Sequence, residues 1–165
     1  MNINLVAPSE IDSLMSLIKA AITKMHREGI QQWGDYYPTR EIFLADIAAG
    51  SLYAARIDGN MAGIIVLNEK QSPEYQDITW VDKEGKVLAV HRLCVSPAFQ
   101  GQGLGKKLML FADDYARKNK YNSIRLDAFA KNPVSVGLYE SLGYQRRGNV
   151  SFRPRSISYC FEKGV

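Results

Sequence analysis

Midway along the chain, Ser96-Pro97-Ala98-Phe99-Gln100-Gly101-Gln102-Gly103-Leu104-Gly105-Lys106 joins an apolar run, Val87 to Val95, to a stretch whose apolar residues recur at helical spacing. A strand that ends in a glycine-rich turn and passes straight into a helix presents several backbone N–H groups at the positive end of the helix dipole, which suits an anion. The glycines at 101, 103 and 105 let the backbone approach that anion closely, so a phosphate or pyrophosphate is the natural guest. A plain tight turn would use the same residues. Walker A spacing fails twice, because Gln100 stands where its first glycine belongs and Lys107 where it needs Ser or Thr. The dinucleotide pattern G-x-G-x-x-G is off by one, and its only support is Asp127, an acid near the end of the following strand. His91, four residues before the loop's strand ends, offers an imidazole of reference pKa about 6.5 as a base, or a satisfied structural ring. Strand alternation puts His91, Leu93 and Val95 on one face. Cys94 lies three residues from His91, on the opposite face and without an orienting third group, and is expected to be a packed thiol.

The elements that must hold these residues alternate in period. Asn2 to Ala7 reads as a strand; Ser9 is the expected cap of a helix carrying Ile11, Leu14, Met15, Ile18, Ala21, Ile22 and Met25 on one face, with Gly29 as its stop. Gln31 to Pro38 is an aromatic loop, and Thr39 caps a second helix to about Ala49. Ser51 to Ile57 and Met61 to Asn68 flank Asp58-Gly59-Asn60, the turn chemistry of a hairpin. Glu69 to Gly85 is polar and reads as an extended connection. Beyond the glycine loop a helix, a strand from Asn122 to Phe129, a short helix from Pro133 to Ser141 and a terminal strand at Ile157 to Phe161 complete a single domain over residues 1–165. The fold class is α/β with α+β character: a mixed, mostly antiparallel sheet flanked by helices, in the order β-α-α-β-β-β-α-β-α-β-β.

Bulk composition sets the outer limits. The 165 residues carry 21 Lys+Arg against 17 Asp+Glu, a formal charge of +4, with 46% hydrophobic and 23% charged residues. That is an ordinary globular composition, long enough for one core. Two cysteines make no disulfide framework and point to the reducing cytoplasm. No signal-peptide pattern opens the chain and no apolar run approaches the ~20 residues of a membrane span. A modest basic excess suits a phosphorylated small molecule as well as a nucleic acid. Arg146, Arg147, Arg153 and Arg155 raise the second option, but they lack the interleaved aromatic platform that RNA bases stack on.

The loop resembles the acetyl-CoA loop of the GNAT superfamily of N-acetyltransferases, whose pattern Q/R-x-x-G-x-G/A is matched by Gln100, Gly103 and Gly105. Leu93-Cys94-Val95-Ser96-Pro97 before it, and Asn132-Pro133 with Leu138-Tyr139-Glu140-Ser141-Leu142-Gly143-Tyr144 after it, are similar to the family's flanking signatures in order and separation, so the resemblance covers roughly Val87 to Arg147. It implies that amides of Gln100, Gly101, Gln102, Gly103, Leu104, Gly105 and Lys106 grip the CoA pyrophosphate, while Leu93, Cys94 and Val95 pair with the pantetheine arm as an open strand edge pairs with a peptide. An amide of that strand would stabilise the oxyanion of the tetrahedral intermediate. Tyr139 takes the position of the family's proton donor to the departing thiolate, and Asn132 that of a pantetheine contact.

The implied reaction is acetyl transfer from acetyl-CoA to a primary amine of a small molecule or peptide, by direct attack in a ternary complex and without a metal. An alkylamine of pKa near 10.4 is about 99.9% protonated at pH 7, so a base is needed; His91 is the candidate. Trp33, Asp35, Tyr36 and Tyr37 fall in the loop that forms a wall of the acceptor cleft in this fold, where rings and one acid would enclose a cation, or where Trp33 and Tyr37 would pin the loop to the core. The alternatives are a non-catalytic acyl-CoA sensor and an enzyme acting on aminoacyl-tRNA. A homodimer follows by analogy alone.

Overall fold

The structure, a computed structural model, describes residues 1–165. In chain order the elements are β1 (Asn2–Leu5), α1 (Ile11–Arg27), α2 (Arg40–Ala48), β2 (Leu52–Ile57), β3 (Asn60–Asn68), β4 (Val87–Val95), α3 (Leu104–Lys118), β5 (Ser123–Phe129), α4 (Pro133–Ser141), β6 (Gln145–Arg153) and β7 (Ser156–Gly164). Short 3-10 turns cover Pro8–Glu10, Pro73–Asp77 and Pro97–Phe99. The seven strands hydrogen-bond in the order β1-β2-β3-β4-β5-β7-β6, with the β4–β5 pair parallel. Element order and sheet type are those expected. The chain divides into two compact units, Met1–Leu67 with Arg92–Phe111, and Asn68–His91 with Ala112–Val165.

In the first unit, α1 turns the face carrying Leu14, Leu17, Ile18 and Ala21 into a core shared with Phe43 and Ile47 of α2 and with Leu52, Ala54, Ile64 and Val66 of the sheet. Its last turn holds Lys24, His26 and Arg27, favourable at the negative end of the helix dipole, and Gly29 ends it at φ +76°. The entry differs from expectation. Ser9 does not cap α1; Pro8 starts a 3-10 turn, and Glu10 accepts a 2.8 Å hydrogen bond from the Ala7 N–H while receiving both Nε and Nη2 of Arg56. A proline fixes the first turn and a carboxylate replaces a hydroxyl as its acceptor. Thr39 does cap α2, accepting from the Ile42 N–H at 3.4 Å. Asp58 (φ +50°) and Gly59 (φ +79°) make the two-residue turn between β2 and β3.

In the second unit, β5 pairs along its whole length with β7, and β7 with β6. The polar 69–85 segment is not a bare connection. Tyr75 and Trp80 are buried against Val150 and Cys160, with Ile78 beside them, and Arg125 lies 4.3 Å over the Trp80 ring. Spaced singly among polar residues, these three apolar side chains have neither a strand nor a helix period, which hid the packing from the sequence. The backbone is tied down by Glu162, which accepts from the Val81 and Asp82 N–H groups at 2.8 and 3.3 Å and pairs with Arg125 and Arg147. Arg147 is thereby engaged, and Arg146 stacks 3.3 Å over the Tyr159 ring, so two of the four arginines of the carboxyl-terminal hairpin serve its own packing. No helix is long and apolar enough to cross a membrane.

Candidate functional site

In the first unit the strand β4 ends at Val95, and its carbonyl accepts from Nε2 of Gln100 at 3.1 Å. The other end of that amide, Oε1, accepts from Nζ of Lys24 on α1. Gln100 therefore works as a brace for the turn rather than as a free ligand contact. The Ser96 N–H bonds the Ala62 carbonyl at 2.9 Å, and Lys107 N–H bonds the Gly103 carbonyl at 3.1 Å, which makes Gly103 the residue on which α3 begins. The N–H groups of Leu104, Gly105 and Lys106 thus belong to the first turn, where no intrahelical acceptor exists. Gly101 and Gly103 stand at φ +77° and +72°, and a Cβ on either would meet nothing within 4 Å. Their conformation demands glycine, and the space in front of them is open. Gln102, Lys106 and Lys107 are exposed around this mouth, while Leu104 is buried and anchors the helix. The cradle fits a phosphate-bearing ligand.

Within β4 the expected alternation breaks. Arg92 sits at φ +49°, a left-handed backbone, so the strict two-residue period linking His91, Leu93 and Val95 does not run through it. The side chain of Arg92 is held almost out of solvent by Asp46 of α2, at 2.9 and 2.7 Å, and donates to the Tyr37 hydroxyl at 3.0 Å. Sequence reasoning missed this pair. Cys94 is buried, and burial pushes its thiol up to about 12, so it stays protonated and is no nucleophile. Trp33 is buried and meets the Tyr37 ring edge-on with centroids 6.5 Å apart; its carbonyl lies 2.8 Å from Nε2 of His26. Gly34 and Tyr37 exchange backbone hydrogen bonds around the bend, which is followed by a cis peptide at Tyr37-Pro38. Trp33 and Tyr37 accordingly shape the loop, and Asp35 and Tyr36 are exposed at its bend.

The remaining candidates lie in the second unit. His91 places Nε2 at 3.1 Å from Asn68 Oδ1 and 2.9 Å from the Lys70 carbonyl. Two acceptors around one nitrogen require that nitrogen to carry the proton. Asn132 caps α4, accepting from the Ser135 N–H at 3.2 Å, ahead of Pro133 at the first helical position. Tyr139 is buried, with its ring against Tyr144 (6.1 Å) and Phe161 (5.9 Å). Burial, and then the Asp127 charge, raise its phenol above the ordinary range, so it stays protonated over the whole neutral region. Glu140 is exposed. Asp127 itself accepts from the Tyr75 hydroxyl at 2.6 Å.

A family model described as the acetyltransferase (GNAT) family matches residues 16–144. The uncharacterized N-acetyltransferase YesJ of Bacillus subtilis is 25% identical over 159 residues, covering 94% of this chain and 86% of that protein. A GNAT-family acetyltransferase structure from Streptococcus agalactiae superposes with a TM-score of 0.86 at 28% identity, over 99% of this chain and 95% of that one. YncA of Salmonella typhimurium, a putative acetyltransferase solved with its cofactor acetyl-CoA, has the same fold, with a TM-score of 0.72 at 19% identity over 99% of this chain and 93% of that one. The chain belongs to the GNAT family of acetyltransferases. As an enzyme it is an acetyl-CoA-dependent acyltransferase.

Proposed function

We propose that the chain transfers the acetyl group of acetyl-CoA to a primary amine of a small molecule or peptide, the amine attacking the thioester directly while both substrates are bound. The observation that carries this reading is the turn at Gly101 and Gly103, where left-handed glycines leave open space at the start of α3. The CoA pyrophosphate sits on the amides of Gln100 to Lys106, assisted by the helix dipole and the charge of Lys106. The backbone of Leu93, Cys94 and Val95 holds the pantetheine amides, and one N–H of that edge receives the developing oxyanion.

Transfer breaks the C–S bond and forms a C–N bond. The nitrogen loses two protons, of which one leaves on the CoA thiol. Tyr139 supplies that proton: its phenol is held in the protonated form, and a thiolate with a pKa near 8.5 leaves more readily when protonated as it departs. Asn132 orients the pantetheine arm from the start of α4. His91, whose Nε2 donates to Asn68 Oδ1 and the Lys70 carbonyl, is the candidate to take a proton from the amine. Asp35 and Tyr36 on the exposed bend meet the acceptor, over a base made by Trp33 and Tyr37. A thermal-shift titration tests the binding half of this reading: acetyl-CoA raises Tm and NAD does not, whereas a shift with NAD alone overturns it.

A further inference from the structure

Along α1 in the first unit runs an open groove of about 740 Å³, the size of a small-ligand pocket, lined by Lys19, Thr23, Lys24 and Arg27 of the helix and by Pro97. These helix residues lie off the face that α1 buries, which carries Leu14, Leu17, Ile18 and Ala21. Lys19, Thr23 and Arg27 form one row at successive i, i+4 steps, so the two cations stand about 12 Å apart along the axis with Thr23 between them. Both are exposed, and neither holds a carboxylate or any other acceptor in the fold. Lys24 divides its ammonium between Glu28, at 3.3 Å, and Oε1 of Gln100. Glu28 is the groove's one carboxylate, and Lys24 already answers it. The hydroxyls offer no donor: Ser16 and Thr23 give their protons to the carbonyls of Asp12 and Lys19, at 3.0 and 2.9 Å. What remains is a groove with two uncommitted cations, and its natural guest is a phosphate.

The groove adjoins the glycine turn. Pro97 lines the one and opens the 3-10 turn that leads into the other, and Lys24 holds Gln100, the residue before Gly101. In CoA the pyrophosphate is followed by a ribose that bears a phosphomonoester, with a charge of about −1.5 to −2 at pH 7. We propose that the groove at Lys19 and Arg27 binds the 3′-phosphate of acetyl-CoA, which makes the enzyme select CoA thioesters over carriers that lack this phosphate. The inference rests on the acetyltransferase reading and adds a second anion subsite to it. Lys19 and Arg27 supply the charge from either side of Thr23, and the contact of Lys24 with Gln100 fixes the groove against the turn. Both cations are exposed, so their attraction for the phosphate is screened by salt.

The test uses the full chain and two probes, acetyl-CoA and acetyl-3′-dephospho-CoA, in isothermal calorimetry at low ionic strength. The parent binds acetyl-CoA about tenfold more tightly, the sum expected of two or three exposed ion pairs, and the gap narrows as potassium chloride is added. Lys19→Gln/Arg27→Gln closes the gap to within about twofold by weakening acetyl-CoA alone, while the charge-preserving Lys19→Arg/Arg27→Lys keeps it. Lys107→Gln, which removes an exposed cation from the first turn of α3, keeps it as well. A gap that survives Lys19→Gln/Arg27→Gln, or that Lys107→Gln closes as fully, overturns the inference. Equal affinity of the parent for the two thioesters overturns it too, and leaves the acetyltransferase reading standing with the groove open to a phosphate carried by the acceptor. A parent that binds neither thioester removes the acetyltransferase reading, and this subsite with it.

Discussion

Replacing Gly103 with leucine separates the fold's need for this glycine from the ligand's. Gly103 has φ +72°, and a Cβ there meets nothing within 4 Å, so the substitution brings no clash with the protein. Its cost to folding is conformational, about 1–2 kcal/mol for an L-residue in the left-handed region. The reduced entropy of the unfolded chain returns about 0.4–1 kcal/mol. The net loss is about 1 kcal/mol, or roughly 2–4 °C in Tm for a chain of this size. The side chain, however, projects into the open space before the first turn of α3, the proposed seat of the pyrophosphate. Displacing one or two hydrogen bonds to a charged phosphate, each about 1.5–3 kcal/mol, weakens acetyl-CoA by at least tenfold and by well over a hundredfold if both are lost. Isothermal calorimetry with acetyl-CoA, run beside circular dichroism to confirm the fold, measures both. A folded Gly103→Leu protein that binds acetyl-CoA within twofold of the parent refutes the cradle.

Two further outcomes follow from the same geometry. Tyr139→Phe keeps the ring packed on Tyr144 and Phe161, so Tm and the acetyl-CoA Kd hold while kcat falls by about 10²-fold; unchanged turnover in steady-state assays removes the acid role. Arg92→Met leaves Asp46 buried without its guanidinium, costing about 3–5 kcal/mol in a urea titration, and the double variant Arg92→Met/Asp46→Leu recovers much of that; equal losses in both would show that the ion pair is not what the site depends on.

The parts of the site that could be read from the sequence are those in which the chemistry is local. The turn at Gln100–Lys106 is one continuous run of residues, and its left-handed glycines and the helix start after it follow from that run alone. Arg92 and Asp127 were not legible in this way. Arg92 is the one Asp, Glu, Lys or Arg of an apolar strand and Asp127 shares its strand with Arg125, and the partner of each lies far along the chain: Asp46 is 46 residues from Arg92, and Tyr75 is 52 from Asp127. Only the pairing of distant segments reveals that one carboxylate has a cation and the other does not. The left-handed backbone at Arg92 hid the true facing of β4 for a related reason, since alternation assumes a regular strand. The 69–85 segment reads as polar because Tyr75, Ile78 and Trp80 are scattered, and their burial depends on strands that come later in the chain.

The central claim, acetyl transfer to an amine, is tested most directly by following free CoA thiol while acetyl-CoA is incubated with the enzyme and a panel of primary amines, with mass spectrometry of the amine. Thiol release that depends on one class of cationic amine, matched by that amine in acetylated form and abolished together with it in Gly103→Leu, is the predicted result. Acetyl-CoA binding without thiol release from any amine, small molecule or peptide, would contradict the account and leave a protein that only senses the acyl carrier.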